Sequence, residues 1–130
     1  MTKVFTHPVQ IYYEDTDHSG FVYHANYLKY FERAREQIIG AEVLAREWQE
    51  TGVGFVVYKA TITYLEGVLF GEVCEVRTQV KTDGDYRTVW QHEFWRPGGT
   101  RAAVSATLEL VCIDRNKELV PTLREFMKNF

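Results

Sequence analysis

The chain has 130 residues and a mass of 15.2 kDa, the length of one domain and too short for an eightfold α/β barrel or a two-domain dinucleotide enzyme. It is 45% hydrophobic and 25% charged, which excludes a disordered chain, and its net charge of −3 with a pI near 5.8 weighs against a nucleic-acid partner. The unusual feature is 8 Tyr, 8 Phe and 3 Trp, 15% of the chain, an excess that serves either a core or a ligand pocket.

The first residues, Met1 to Pro8, contain no apolar signal-peptide core, and no run approaches the roughly 18 apolar residues that span a bilayer. Cys74 and Cys112 form no metal-spaced cluster and fall in strand-like segments, where they read as buried free thiols. The expectation is a cytoplasmic protein of a single domain, residues 1–130.

In chain order, Val9 to Tyr13 follows Pro8 and is rich in β-branched and aromatic residues, so it reads as a strand. Glu14 to Gly20 is polar and reads as a loop. From Tyr27 to Ile39 the apolar residues Tyr27, Leu28, Phe31, Ala34, Ile38 and Ile39 recur at helical spacing, with charged Lys29, Glu32, Arg33, Arg35 and Glu36 filling much of the rest. Asn26 is placed to cap that helix and Gly40 to end it. A second helix is expected over Ala41 to Gln49. Four strands follow: Phe55 to Leu65, Glu72 to Thr82, Tyr86 to Arg96 and Arg101 to Asp114. Asp83-Gly84-Asp85 and Pro97-Gly98-Gly99 supply tight turns. A short helix from about Thr122 ends the chain. Short connections make the strands antiparallel, and one early helix must cover one sheet face, an α+β architecture. A single helix leaves sheet edges and a face uncovered, which favours a homo-oligomer.

The densest polar cluster is Asp15-Thr16-Asp17-His18-Ser19-Gly20. Its first half has the spacing of a calcium loop, but the twelfth position is Asn26 where a bidentate Glu is required, so no metal site is expected. As a structural element the segment is a solvated turn with capping residues. As a catalytic element it sets a carboxylate before a helix N-terminus, where free N–H groups can hold an oxyanion and the dipole keeps Asp17 ionised. Such a site suits a thioester, whose thiolate leaves without a strong general acid. A Ser19 nucleophile is disfavoured, because adjacent His18 and Ser19 do not face one another and no Gly-x-Ser-x-Gly elbow is present.

Asp15-x-Asp17-x-x-Gly20-x-Val22-x-x-x-x-Tyr27, running into a helix with Glu32-x-Ala34-Arg35, closely resembles the 4-hydroxybenzoyl-CoA thioesterase family of hot-dog proteins, and within it the bacterial acyl-CoA thioesterase branch linked to the Tol–Pal gene cluster. The resemblance covers nearly the whole chain. It implies a hot-dog fold, an antiparallel sheet of about five strands wrapped around one long helix, with active sites at the subunit interface of a homodimer or homotetramer. It implies hydrolysis of an acyl-CoA, with a short aliphatic or aromatic acyl group, to free acid and CoA, with no cofactor. Asp17 then matches the catalytic carboxylate, as nucleophile or general base, and the His24 backbone N–H the oxyanion donor. Gly20 allows the turn between them, Asp15 orders the loop, and Tyr27 matches the motif tyrosine while fitting equally a core aromatic.

Two features depart from that branch: His18-Ser19 in the loop, and the turn Glu66 to Gly71, which lacks a Pro-Ala pair. Lys59 and Arg87 are candidate phosphate partners, though by residue type they read more readily as solvated strand charges. Phe21, Tyr23, Phe55 and Tyr58 are the candidate walls of an acyl pocket. The rival expectation is a non-catalytic hot-dog module that binds an acyl carrier protein or a lipid-synthesis protein.

Overall fold

The computed structural model describes residues 3–129. The element order is β1 (Phe5–Gln10), α1 (Asn26–Ile39), α2 (Ala41–Thr51), β2 (Gly54–Tyr64), β3 (Val73–Asp83), β4 (Arg87–Trp95), β5 (Val104–Ile113) and β6 (Leu119–Val120). All six strands join one antiparallel sheet in the order β1-β3-β4-β5-β2, with β6 pairing the far end of β5.

The period-two alternation of the sequence sets which face is buried. Cys74, Val76, Thr78 and Val80 on β3, Thr88, Trp90, His92 and Phe94 on β4, and Val104, Ala106, Leu108, Leu110 and Cys112 on β5 all point inward. The register lays them side by side: Val76 beside Phe94, Thr78 beside His92 and His92 beside Ala106. Against this face lies α1, which buries Tyr27, Tyr30, Phe31, Ala34, Arg35 and Ile39. Phe31 stacks on the His92 ring at 4.8 Å and Tyr27 meets Phe94 edge-on at 5.1 Å. The inward face is thus a layer of rings between helix and sheet, with the aromatic area buried in the core.

The structure corrects several boundaries. The first strand runs over Phe5–Gln10 rather than Val9 to Tyr13. Pro8 lies inside it, opposite Glu75, which an edge strand tolerates because only one side of the ladder needs an N–H. Tyr13 belongs to a 3-10 turn, Tyr13–Asp15, because the Asp15 carboxylate accepts the Tyr12 N–H at 2.8 Å and bends the chain. Asn26 is the first residue of α1 rather than its cap, and its side chain donates to the Asp15 carbonyl at 2.9 Å. The second helix extends to Thr51, closed by the left-handed Gly52. The fourth of the later strands begins at Val104, not Arg101. A sixth strand, β6, adds to the expected five, and the last turn is a 3-10 helix over Glu125–Asn129. Arg35, grouped by sequence with outward charges, is only 5% exposed.

Candidate active site

Asp17 sits near the tip of a small hairpin between β1 and α1. Its N–H donates to the Phe21 carbonyl at 2.9 Å, its carbonyl accepts the Gly20 N–H at 3.0 Å, and the Tyr23 N–H donates to the Asp15 carbonyl at 2.9 Å. Gly20 closes the turn at φ +86°, a left-handed conformation that a side chain would strain. The hairpin leans on the segment 65–72: the Val22 N–H donates to the Val68 carbonyl at 2.8 Å, Phe21 forms a bridge with Leu69, and the Phe21 ring lies where a Gly67 Cβ would stand. Arg96 clamps that segment by pairing with Glu66 at 2.6 Å and Glu72 at 2.7 Å, and Glu72 also accepts the Leu69 N–H at 3.1 Å. The Arg96 guanidinium beside Glu72 holds its carboxyl below the usual range. The turn that lacks a Pro-Ala pair is thus held by a two-carboxylate arginine clamp.

The Asp17 carboxylate is exposed. Its Oδ1 accepts both the Ser19 hydroxyl and the Ser19 N–H, the latter at 2.8 Å. These two bonds, the hydroxyl first, hold its pKa below the ordinary carboxylate value, with the neighbouring His18 adding to the effect. The lowering comes first from the Ser19 hydroxyl and N–H, and α1 starts nine residues on, at Asn26. Asp17 lines a cavity of about 340 Å³ together with Tyr13, Thr16, His18, Gly20 and Phe70. Tyr13 and Phe70 meet edge-on at 5.7 Å. Ser19, Tyr13 and Phe70 were not singled out by sequence as site residues. The Tyr13–Phe70 contact joins segments far apart in the chain and leaves no local signal.

His24 lies at the other end of the hairpin, in the turn before α1. Its carbonyl accepts the Tyr64 hydroxyl at 3.0 Å, and its N–H has no partner among the described residues. Tyr64 is a further residue outside the sequence reading. Phe21 stands opposite Asp17, and His24 is three residues further on, about 10 Å at 3.3–3.4 Å per residue. The two predicted catalytic groups therefore occupy opposite ends of the hairpin in one chain.

The other candidates are scattered. Phe21 and Tyr23 belong to the hairpin, half-exposed, with the Tyr23 ring 4.6 Å from that of His24. Tyr27 is 3% exposed and ringed by Tyr30, Tyr64 and Phe94, which places it in the core. Burial raises its hydroxyl pKa well above the ordinary tyrosine value. Phe55 borders a different cavity, between α1, α2 and the sheet. Tyr58 and Lys59 are exposed on β2. Arg87 lies over the Tyr58 ring at 5.3 Å and pairs with Glu109 at 3.0 Å and Asp83 at 3.6 Å. Neither these four nor Phe21, Tyr23 and Tyr27 line the Asp17 cavity, so the expected acyl-pocket walls are not its walls.

An antiparallel sheet packed on one long helix is the hot-dog thioesterase fold. The chain belongs to the thioesterase-like superfamily, whose model matches residues 12–130, and it is a thioester hydrolase. It is 32% identical over 115 residues to the acyl-CoA thioesterase YbgC of Haemophilus influenzae, covering 87% of this chain and 83% of that protein. It is 46% identical over 72 residues to the Helicobacter pylori acyl-CoA thioesterase YbgC, covering 55% of this chain and 53% of that one. Among solved structures, a 1,4-dihydroxy-2-naphthoyl-CoA thioesterase from Synechocystis superposes with a TM-score of 0.86 at 20% identity, covering 96% of this chain and 93% of that one, a likeness of fold.

Proposed function

We propose that the protein hydrolyses an acyl-CoA thioester to a free acid and CoA, with Asp17 as the carboxylate that attacks the carbonyl or activates the attacking water. The observation that carries this reading is the Asp17 carboxylate: exposed, its pKa held down by Ser19, and placed on the wall of a cavity that Tyr13 and Phe70 also line. Similarity to the YbgC thioesterases supports the acyl-CoA class, and the resemblance of the Asp15-to-Arg35 motif is the ground for placing the chain beside the Tol–Pal-linked branch. Both short aliphatic and aromatic acyl groups fit a cavity of about 340 Å³.

In the proposed step the Oδ2 of Asp17, or a water it deprotonates, adds to the thioester carbon. The carbonyl oxygen becomes an oxyanion that accepts the unpartnered His24 N–H. Collapse expels the CoA thiolate, and in the nucleophilic variant a water then cleaves the anhydride. The spacing of Asp17 and His24 along one hairpin favours a site assembled from two chains, in a homodimer or homotetramer. The β2 edge supports such pairing: Val57 is 50% and Tyr58 63% exposed on an unpaired strand side. An acyl carrier protein thioester is the other substrate form this chemistry admits, and a cytoplasmic setting accords with CoA chemistry. Lys59 serves as a CoA phosphate contact in this reading more readily than Arg87, whose charge is already matched by two carboxylates.

The test is steady-state hydrolysis of an acyl-CoA panel read by a thiol reagent. The expected result is turnover on at least one short or aromatic acyl-CoA and a loss of about a hundredfold or more in Asp17→Asn. Full activity in Asp17→Asn overturns the role of Asp17. A folded protein that binds acyl-CoA or an acyl carrier protein without turnover on any of the panel overturns the acyl-CoA hydrolysis proposed here in favour of a binding role.

A further inference from the structure

A second cavity, of about 320 Å³, lies between α1, α2 and the β2–β5 side of the sheet, and the mechanism above does not use it. Its walls are two kinds of surface. Ile39, Leu44, Phe55, Val57 and Leu110 are apolar, and Arg35 supplies a guanidinium. Arg35 is only 5% exposed. Its one hydrogen bond among the described residues is from Nη1 to the His92 Nε2 at 3.3 Å, a neutral acceptor. Glu32, Arg33 and Glu36 line the same cavity; the Glu32 charge acts on Arg35, but no ion pair with Arg35 forms among the described residues. Burial lowers its pKa only to about 10, so it stays protonated at neutral pH.

A buried charge whose hydrogen bonds are unmade is costly, and a guanidinium carries five donors, of which one is used here. The remaining donors and the apolar walls together describe a ligand with an anionic head and a hydrocarbon body. An inorganic anion would leave the apolar wall unfilled. A neutral hydrocarbon would leave the remaining Arg35 donors without an acceptor. The volume falls at the lower end of the usual range for small-molecule sites, about 300–1,000 Å³, and the lining joins an apolar wall to the charged side chains Glu32, Arg33, Arg35 and Glu36, of which Arg35 is the buried one.

We propose that this cavity is a binding site for a short- to medium-chain monocarboxylate, held by its carboxylate on Arg35 with its chain against Ile39, Leu44, Phe55 and Leu110. The site is separate from the Asp17 cavity, with which it shares no lining residue. A monocarboxylate is also the product class of thioester hydrolysis, so on the proposed function this site would sense product; the binding itself does not depend on that reading.

The experiment is isothermal calorimetry with octanoate, octanol and inorganic phosphate, needing no turnover. Octanoate is expected to bind one site per chain, octanol at least tenfold more weakly, and phosphate not detectably. Leu44→Trp fills the cavity from α2 without touching Arg35, and is expected to abolish octanoate binding while its circular dichroism spectrum stays that of the parent. Arg35→Met, if folded, should bind octanol and octanoate alike. The proposal is overturned if octanoate does not bind, if octanol binds as tightly, or if folded Leu44→Trp binds octanoate as the parent does. Failure of hydrolysis with octanoate binding intact would remove the proposed function and leave this site standing.

Discussion

His92 couples the stability of the fold to pH, and the size of the coupling follows from its surroundings. The ring has no exposed surface. Arg35 can only donate, so the His92 Nε2 accepts at 3.3 Å and the proton sits on Nδ1, which donates to the Thr78 Oγ1 at 2.8 Å. Protonating Nε2 would break the Arg35 bond and set two cations side by side in the core. Burial first, and the Arg35 charge second, pull the pKa of the ring down to about 3. In the unfolded chain it returns to about 6.5. Between those values the unfolded chain holds a proton that the folded one does not, so the stabilisation is complete above about pH 6.5 and is lost as the pH falls toward 3. The two values give a loss of about 2 kcal/mol at pH 5 and about 3 kcal/mol at pH 4, a large share of a total of about 5–15 kcal/mol. The assay is urea unfolding of the parent and His92→Gln at fixed protein concentration and pH 7, 6, 5 and 4.5. His7, whose pKa burial and Arg33 also lower, titrates in both proteins and cancels in the difference. The parent should lose about 2 kcal/mol more than the variant between pH 7 and 5; parallel losses would refute the account of His92 as a buried neutral base.

Ser19→Ala removes the hydroxyl that contributes most to lowering the Asp17 pKa. On the proposed function the acid limb of kcat/KM should therefore move to higher pH, because activity needs the ionised form; an unmoved limb in an active variant would show that Ser19 does not set the charge of Asp17. Phe31→Ala deletes a ring with no exposed surface that stacks on His92 at 4.8 Å. It should cost about 3–5 kcal/mol in urea unfolding, and a cost under about 1 kcal/mol would mean that the helix repacks onto the sheet.

The sheet was legible because its signal is local. Cys74 to Val80 and Ala102 to Cys112 alternate residue by residue, and the inward set read from that alternation is the one buried. The long helix was legible for the same reason, to within one residue at its start. What escaped depends on partners distant in sequence. Arg35 looks like one more charge on a helix, and only its position over His92, 57 residues away, buries it. The first strand was displaced because Pro8 reads as a stop, whereas at a sheet edge its missing N–H costs nothing. β6 is two residues long and exists through its pairing with Cys112 and Ile113. At the site the motif located Asp17 and Gly20, but Tyr64, which binds the His24 carbonyl across 40 residues, has no signature. Phe55, Tyr58 and Arg87 were chosen by residue type and strand position, and the topology carries them away from the hairpin.

The separation of Asp17 from His24 leads to a last prediction. The Asp17 carboxylate is exposed, whereas an oxyanion donor gains its strength in a site from which water is excluded. If Asp17 of one copy works with the His24 N–H of the other, two inactive variants can rescue one another. Asp17→Asn removes the carboxylate, and His24→Pro removes the donor at a position before the helix where Pro is tolerated. A hybrid dimer of the two then has one site with both defects and one with neither. Random exchange makes about half of the dimers hybrids, each with one working site in two, so activity should return to about a quarter of the parent level. If both groups served the same site from one chain, every site in the hybrid would carry one defect and nothing would return. Hydrolysis measured after mixing differently tagged variants, with hybrids confirmed by capture on one tag, separates the cases. Hybrids without activity would place the carboxylate and its donor in one chain and remove the two-chain site.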